Sequence, residues 1–142
     1  MERVLVKALA LLDRAETCIL GSIDRNGYPA MRAMLQPRKR TGMKQILFST
    51  NTSSRHIEEY RNNPLASVYF YDPQLFQGLL LRGRMEVSTD QMLRDGIWRE
   101  GDEMYYKLGP TDPDYAVMLF TADNGRWYED MKSYDIKSNE LI

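Results

Sequence analysis

The chain has 142 residues, with 19 lysines and arginines against 20 aspartates and glutamates, so its formal net charge is −1. This length can bury one substantial core, while the balanced charge gives no general attraction to nucleic acid or to an anionic membrane. The one cysteine, Cys18, excludes an internal disulfide, and without a long apolar run or a signal-peptide pattern we expect a single cytoplasmic domain over residues 1–142.

The first predicted elements are a helix and a β-hairpin. Apolar residues recur at helical spacing over residues 2–15, which predicts an amphipathic helix. Thr17–Ile23 and Pro29–Gln36 are rich in β-forming residues, and the turn sequence Asp24–Gly27 joins them. Because side chains alternate along a strand, Arg32 is expected on the face opposite to its immediate neighbours.

Strands and turns dominate the remaining sequence. The basic segment 37–42 and residues 101–113 are interpreted as irregular connections, the second with at most one short helix. Ser88 and Gln91 fit a capping box at the start of a helix. The further predicted strands are Gln45–Phe48, Ala66–Tyr71, Leu79–Val87, Tyr115–Thr121 and, after a turn at 123–125, Arg126–Tyr128. This pattern predicts a mainly β fold, an antiparallel six- to seven-stranded barrel with short peripheral helices and a frayed tail from about residue 131.

A polar stretch follows the strand that ends at Phe48. Six consecutive hydroxyl and amide residues, 49–54, lead into Arg55 and a short helical pattern that Asn63 and Pro64 end. The start of a helix leaves backbone N–H groups free and carries partial positive charge, so hydroxyls and an arginine there suit a phosphate group. The alternative is that Thr52 or Ser53 simply caps the helix, which is a common role for these residues.

Few side chains in this sequence are suited to direct catalysis. His56 is the one histidine, and no second histidine or cysteine stands at metal-ligand spacing, so we expect no metal site. A serine–histidine–acid triad would have to use His56, no carboxylate pair stands out, and the glycine-rich nucleotide motifs are absent. If the protein is an enzyme, a bound cofactor must carry the chemistry.

The pattern Phe48-x-Thr50-Asn51-x-x-Ser54-Arg55-His56, with Arg32 on a preceding strand, resembles the FMN-binding split-barrel superfamily of pyridoxamine 5′-phosphate oxidase. The layout is similar to the shorter, general-stress-protein-like branch of that superfamily. Further matches, spread over about residues 4–127, are Gly27-Tyr28-Pro29, Asn62-Asn63-Pro64-Leu65-Ala66 and Arg82-Gly83-Arg84-Met85-Glu86-Val87.

The resemblance implies an FMN cofactor bound between two subunits of a homodimer. It implies phosphate contacts from Arg32, Ser54 and Arg55, with His56 where the family usually has lysine. The other cofactor-binding residues that it implies are Met34, Thr50, Asn51, Gln77 and Trp127. Catalytic residues are not identified by it.

The function that the resemblance implies is that of a flavin-dependent oxidoreductase. True pyridoxamine-phosphate oxidase activity is not expected, because the Arg-Leu-x-Pro-like segment of that enzyme has no match in residues 133–138. Three alternatives remain: a flavin carrier or sensor without catalysis, a split barrel that binds haem, with His56 as the candidate ligand, or no cofactor at all, and a β-barrel module for nucleic acid. The neutral charge makes the last of these the weakest.

Overall fold

Eight strands and three α-helices form the fold in the computed structural model, which describes all of residues 1–142. The helices are α1 (Glu2–Arg14), α2 (Arg55–Asn62) and α3 (Gln91–Ile97). The strands are β1 (Thr17–Ile23), β2 (Pro29–Leu35), β3 (Lys39–Thr41), β4 (Gln45–Asn51), β5 (Leu65–Asp72), β6 (Gln77–Ser88), β7 (Tyr115–Glu129) and β8 (Lys132–Ile136).

All the strand pairs are antiparallel, and they follow one path through the sheet. The order is β2-β1-β5-β6-β7-β4-β3, and β8 pairs with β7 beside this path. The end strands β2 and β3 do not pair with each other, so backbone hydrogen bonds do not close the sheet into a complete barrel. The predicted mainly β antiparallel fold is confirmed, with one or two strands more than the sequence indicated.

The N-terminal helix and the hairpin are confirmed. In α1 the residues Val4, Ala8, Leu11 and Leu12 are buried, which is the face that the helical spacing predicts. They join one core cluster with residues from the inner faces of the strands, so α1 covers the apolar side of the sheet. Gly27 adopts a φ of 86° in the tight turn between β1 and β2, a conformation that glycine reaches without steric strain.

Strand β7 continues where the sequence predicted a turn. Residues 123–125 lie inside β7, where Asn124 and Gly125 pair with β6. The register shifts between Arg82 and Gly83 of β6, which leaves Asp123 of β7 without a pairing partner. A Cβ atom on Gly83 would lie 1.9 Å from the carbonyl oxygen of Thr121, so only glycine fits this irregularity. The local turn propensity of Asp-Asn-Gly is overridden by pairing along both edges of β7.

The C-terminal residues are ordered by pairing, so the expectation of a frayed tail was wrong. Lys132–Ile136 forms β8 against the end of β7, and Ile136 and Leu141 are buried in the main core. The tail is polar in composition, but two apolar side chains are enough to hold it against the sheet.

Three smaller predictions also differ from the structure. Lys39–Thr41, within the segment interpreted as a loop, pairs with β4 as a short strand. Helix α3 is capped by Asp90, whose side chain accepts a hydrogen bond from the Leu93 backbone N–H at 3.3 Å, and not by Ser88. Residues 101–113 contain two short 3₁₀ turns, Asp102–Met104 and Gly109–Thr111. No helix of the protein has the length and apolar character needed to cross a membrane.

Candidate functional site

A cavity of about 290 Å³ opens where the sheet is not closed. Its walls come from β2, β4, the start of α2 and the segment between α3 and β7. It is lined by Arg32, Ala33, Met34, Leu35, Gln36, Arg38, Phe48, Ser49, Thr50, Asn51, Ser54, Tyr105 and Tyr106. Five of the nine predicted cofactor-binding residues therefore meet here: Arg32, Met34, Thr50, Asn51 and Ser54.

The cavity contacts β2 along its edge. Consecutive residues from Arg32 to Gln36 line it, although neighbouring side chains of a strand point to opposite faces. Strand β2 pairs only with β1, so its other edge has backbone N–H and C=O groups that no strand uses. This side of the cavity therefore offers main-chain donors and acceptors in alternation.

Ser54, at the start of α2, also lines the cavity. Ser54 occupies the N-cap position, but its side chain makes no capping hydrogen bond. The backbone N–H groups of Arg55 and His56 make no hydrogen bond within the chain, as is typical for the first turn of a helix. The guanidinium of Arg32 forms no salt bridge with a carboxylate.

His56 lies behind this wall and does not line the cavity. It is 4 % exposed, and its two ring nitrogens contact the two neighbouring site residues. Nδ1 contacts an Nη atom of Arg32, and Nε2 lies 3.2 Å from Oγ1 of Thr50. Burial, and secondarily the positive charge of Arg32, lowers the pKa of His56 to about 4, so the ring is neutral near pH 7. The direct cofactor contact expected of His56 is thus replaced by contacts to Arg32 and Thr50.

Asp114 holds the polar turn before α2. Its carboxylate accepts hydrogen bonds from the Asn51 side chain at 2.8 Å, the Thr52 hydroxyl at 2.8 Å, and the backbone N–H of Ser53 at 3.0 Å. Burial raises the pKa of Asp114, but these donors outweigh that effect and hold the pKa below its ordinary value. Neither Thr52 nor Ser53 caps α2, because the N-cap residue is Ser54, so the capping alternative is wrong. The hydroxyls of Thr52 and Ser53 donate to Asp114 and stabilise the turn instead.

The far wall of the cavity was not predicted from the sequence. Arg38 binds the Asp102 carboxylate through two hydrogen bonds of 2.6 and 2.9 Å, and also donates to the Ile97 carbonyl at 3.1 Å. Tyr105 and Tyr106 follow Asp102 and line the cavity; Tyr105 is half exposed and Tyr106 is buried. The basic segment 37–42 carries the pattern of an irregular connection, and no local signal pairs Arg38 with an acid 64 residues away.

Three of the predicted cofactor-binding residues lie elsewhere. Arg55 is exposed and lines a separate surface groove with Asp24 and Glu58. Gln77 accepts a hydrogen bond from Arg14 at 3.2 Å and donates to Glu129 at 3.3 Å. Trp127 has no exposed surface, belongs to the main core and does not line the cavity, so its cofactor contact stays a prediction. An inward-facing position on β7 explains its burial.

Comparisons with known proteins identify the family of this chain. The family model described as pyridoxamine 5′-phosphate oxidase matches residues 6–127. The chain is 32 % identical over 74 residues to pyridoxine/pyridoxamine 5′-phosphate oxidase of Legionella pneumophila (strain Lens), a match that covers 51 % of this chain and 34 % of that protein. The chain thus spans about a third of the length of the curated relatives that it matches.

Two solved structures extend the comparison. The crystal structure of a general stress protein 26-related protein of the pyridoxinephosphate oxidase family, from Clostridium acetobutylicum, has a TM-score of 0.90 and 35 % identity, covering 100 % of this chain and 99 % of that one. An FMN-binding protein related to pyridoxamine 5′-phosphate oxidase, from Nostoc punctiforme, has a TM-score of 0.72 and 17 % identity, with 95 % of both chains covered. The chain therefore belongs to the pyridoxamine 5′-phosphate oxidase-like family of FMN-binding split barrels.

Proposed function

We propose that this protein binds FMN in the cavity between β2 and β4 and acts as a flavin-dependent oxidoreductase. The observation that carries the proposal is the set of unpaired donors at one end of the cavity. Arg32 has no carboxylate partner, and Ser54 adds a hydroxyl. The backbone N–H groups of Arg55 and His56, which directly follow Ser54, make no hydrogen bond within the chain. Such a set suits a phosphate group with a charge near −2.

The rest of the cavity suits the ring system of FMN. The edge of β2 supplies backbone donors and acceptors, while Met34, Phe48 and Tyr105 supply apolar surface. Small-molecule sites commonly combine apolar walls with a few polar groups in a volume of roughly 300–1,000 Å³. At about 290 Å³, one subunit would enclose only part of FMN. The flavin, when bound, would supply the electron transfer, and this chain's residues would bind and orient it.

A second copy of the chain would complete the site. Strand pairing puts Ala33, Ile19, Tyr69 and Leu80 side by side on the outer face of the sheet, next to Met31, which is 80 % exposed. No element of the chain covers this apolar face, and the groove along it shares Arg32 and Ala33 with the cavity. A partner subunit seated here would lie against the open side of the cavity, so we propose a homodimer with two equivalent sites.

The phosphate contact is tested by comparing FMN with riboflavin, which lacks the phosphate. We expect Arg32→Met to weaken FMN binding about 10- to 100-fold, equivalent to about 1.5–3 kcal/mol for lost hydrogen bonds to a charged group, with riboflavin affinity unchanged. Arg55→Met is the matched control, since Arg55 lies outside the cavity, and it should change FMN affinity less than about threefold. Equal FMN affinity in wild type and Arg32→Met would contradict the proposed phosphate position.

The dimer is tested with two methionines of similar exposure. Met31 is 80 % exposed on the apolar face, and Met92 is 82 % exposed on α3. Met31→Glu places a charge in the proposed interface and should give a monomer by analytical ultracentrifugation, whereas Met92→Glu should leave the dimer intact. A wild-type protein that sediments as a monomer with FMN bound would refute the shared site.

Catalysis is separated from simple carriage of the flavin by a reduction assay. An oxidoreductase should have its bound FMN reduced by NADH or NADPH in anaerobic stopped-flow measurements. A flavin carrier or sensor would bind FMN with the same Arg32 dependence but would not be reduced by either donor. Haem binding has no support at this site, because both ring nitrogens of His56 are already in contact with protein groups.

A further inference from the structure

His56 does not line the cavity, but it contacts two residues that do, Arg32 and Thr50. Its ring is buried, contacts Tyr60 edge-on with 6.2 Å between ring centroids, and holds Arg32 at one nitrogen and Thr50 at the other. The role of His56 described here rests on the proposed function only for the identity of the ligand. The contacts that support it are all between residues of this chain.

The chemistry of the two neighbours fixes the position of the imidazole proton. A guanidinium has donors and no acceptor, so the Nδ1 atom that contacts Arg32 must accept and carry no proton. A neutral imidazole then carries its proton on Nε2, which donates to Thr50 Oγ1. The Thr50 hydroxyl has no other hydrogen-bond partner in the chain, so its own hydrogen remains free to donate into the cavity.

We infer that neutral His56, in the Nε2–H form, is a positioning residue that orients Arg32 and turns the Thr50 hydroxyl into a donor toward the bound ligand. An imidazolium at this place would present N–H groups to the guanidinium and would repel it. With His56 neutral, the Arg32 guanidinium and the Thr50 hydroxyl can both donate hydrogen bonds into the cavity. The site is thereby arranged for a ligand group that only accepts hydrogen bonds, such as a phosphate or a flavin carbonyl.

The inference can be tested on the ligand-free protein, because His56 is the one histidine in the sequence. Long-range ¹H–¹⁵N NMR of protein prepared without a polyhistidine tag reports the protonation of both ring nitrogens directly. We expect Nε2 protonated and Nδ1 unprotonated, unchanged between about pH 7 and about pH 5. A protonated Nδ1, or an imidazolium at about pH 6, would overturn the inference.

Two variants separate the positioning role from a general effect on folding. Arg32→Met removes the donor at Nδ1 and the neighbouring positive charge, so the ring should populate both neutral tautomers. The pKa of His56 should rise, while burial, the larger cause, keeps it below the ordinary histidine value. Arg25→Met is the control, because Arg25 pairs with Glu58 on the surface and does not touch His56. An identical His56 spectrum in Arg32→Met and wild type would refute the role of Arg32.

The link to the ligand is tested by FMN and riboflavin titration of His56→Phe. This variant keeps a flat ring and removes both nitrogens, so FMN affinity should fall about 10-fold or more, comparable to Arg32→Met. If wild-type protein binds no FMN, the proposed function fails while the NMR result stands. If FMN binds and His56→Phe binds it equally well, the positioning role fails while the proposed function stands.

Discussion

Replacing Arg38 by methionine should destabilise the wall of the cavity formed by residues 98–114. The Arg38 and Asp102 side chains are 13 % and 5 % exposed, and two hydrogen bonds of 2.6 and 2.9 Å join them. Arg38→Met leaves the Asp102 carboxylate buried, with the Arg99 backbone N–H at 2.9 Å as its remaining donor.

The magnitude follows from the loss of one partner of a buried ion pair. Such a loss typically destabilises a protein by about 3–5 kcal/mol, because the remaining charge is buried without compensation. Since Asp102 keeps the Arg99 N–H and a small exposed fraction, we expect a value near the lower end, about 3 kcal/mol. With a urea m-value of about 2 kcal/mol/M, the unfolding midpoint should fall by about 1.5 M.

The matched control is Arg126→Met. Arg126 pairs with Asp135 at 3.1 Å, but these side chains are 44 % and 76 % exposed, so the change should be below about 1 kcal/mol. A double replacement, Arg38→Met with Asp102→Leu, should recover part of the stability because no buried charge remains. Equal midpoints for Arg38→Met and Arg126→Met would refute the reasoning.

The same pair gives a pH dependence with a definite sign. Burial raises the pKa of Asp102, but the hydrogen bonds from Arg38 and Arg99 outweigh it and leave the pKa below its ordinary value. A depressed pKa stabilises the folded state above the unfolded-state pKa, and this contribution disappears as the pH falls through the folded-state value. The stability difference between wild type and Arg38→Met should therefore narrow below about pH 4.

Four further outcomes are expected from urea unfolding and FMN titration. Asp114→Ala should lower the free energy of unfolding by about 2 kcal/mol, because the turn before α2 loses the acceptor of four hydrogen bonds; a change below about 0.5 kcal/mol would contradict this. Gly83→Ala should destabilise by about 2 kcal/mol, because its Cβ would meet the Thr121 carbonyl at 1.9 Å. Gly96→Ala, with nothing within 4 Å of its Cβ, should instead stabilise helix α3 by up to about 1 kcal/mol. Trp127→Phe should lower stability and leave FMN affinity unchanged, since the side chain is fully buried; a loss of FMN affinity at unchanged stability would restore its predicted role.

Much of the fold could be predicted because its signals are local. The spacing of apolar residues in α1 and the turn sequence before β2 act over a few residues, and both elements formed as expected. The same applies to Arg32, whose strand could be assigned from the sequence, whereas Thr50 lies in β4, which continues to Asn51 beyond its predicted end at Phe48. Strand β7 shows the limit, because pairing with β6 and β8 outweighs the turn propensity of residues 123–125.

The parts of the site that could not be predicted depend on distant contacts. Arg38 meets Asp102, and Asp114 meets the turn before α2, across more than 60 residues in each case. The spacing of residues along the sequence does not indicate which acidic side chain accepts a hydrogen bond from a given donor. His56 is the one imidazole of the chain, but whether its ring points into the cavity or lies behind its wall depends on how α2 packs on the sheet.

Asp114 also has a consequence for the motions of the protein. It is the residue directly before β7, and besides its side-chain contacts its carbonyl accepts a hydrogen bond from the Thr52 backbone N–H at 2.8 Å. The start of β7 and the turn before α2 are thereby hydrogen-bonded to each other, so neither can move away without breaking the contacts of the other. Amide hydrogen exchange at Thr52 and Ser53 should therefore be faster when the segment that carries Tyr105 and Tyr106 opens. The exchange at both amides should be slower when that segment is held in place.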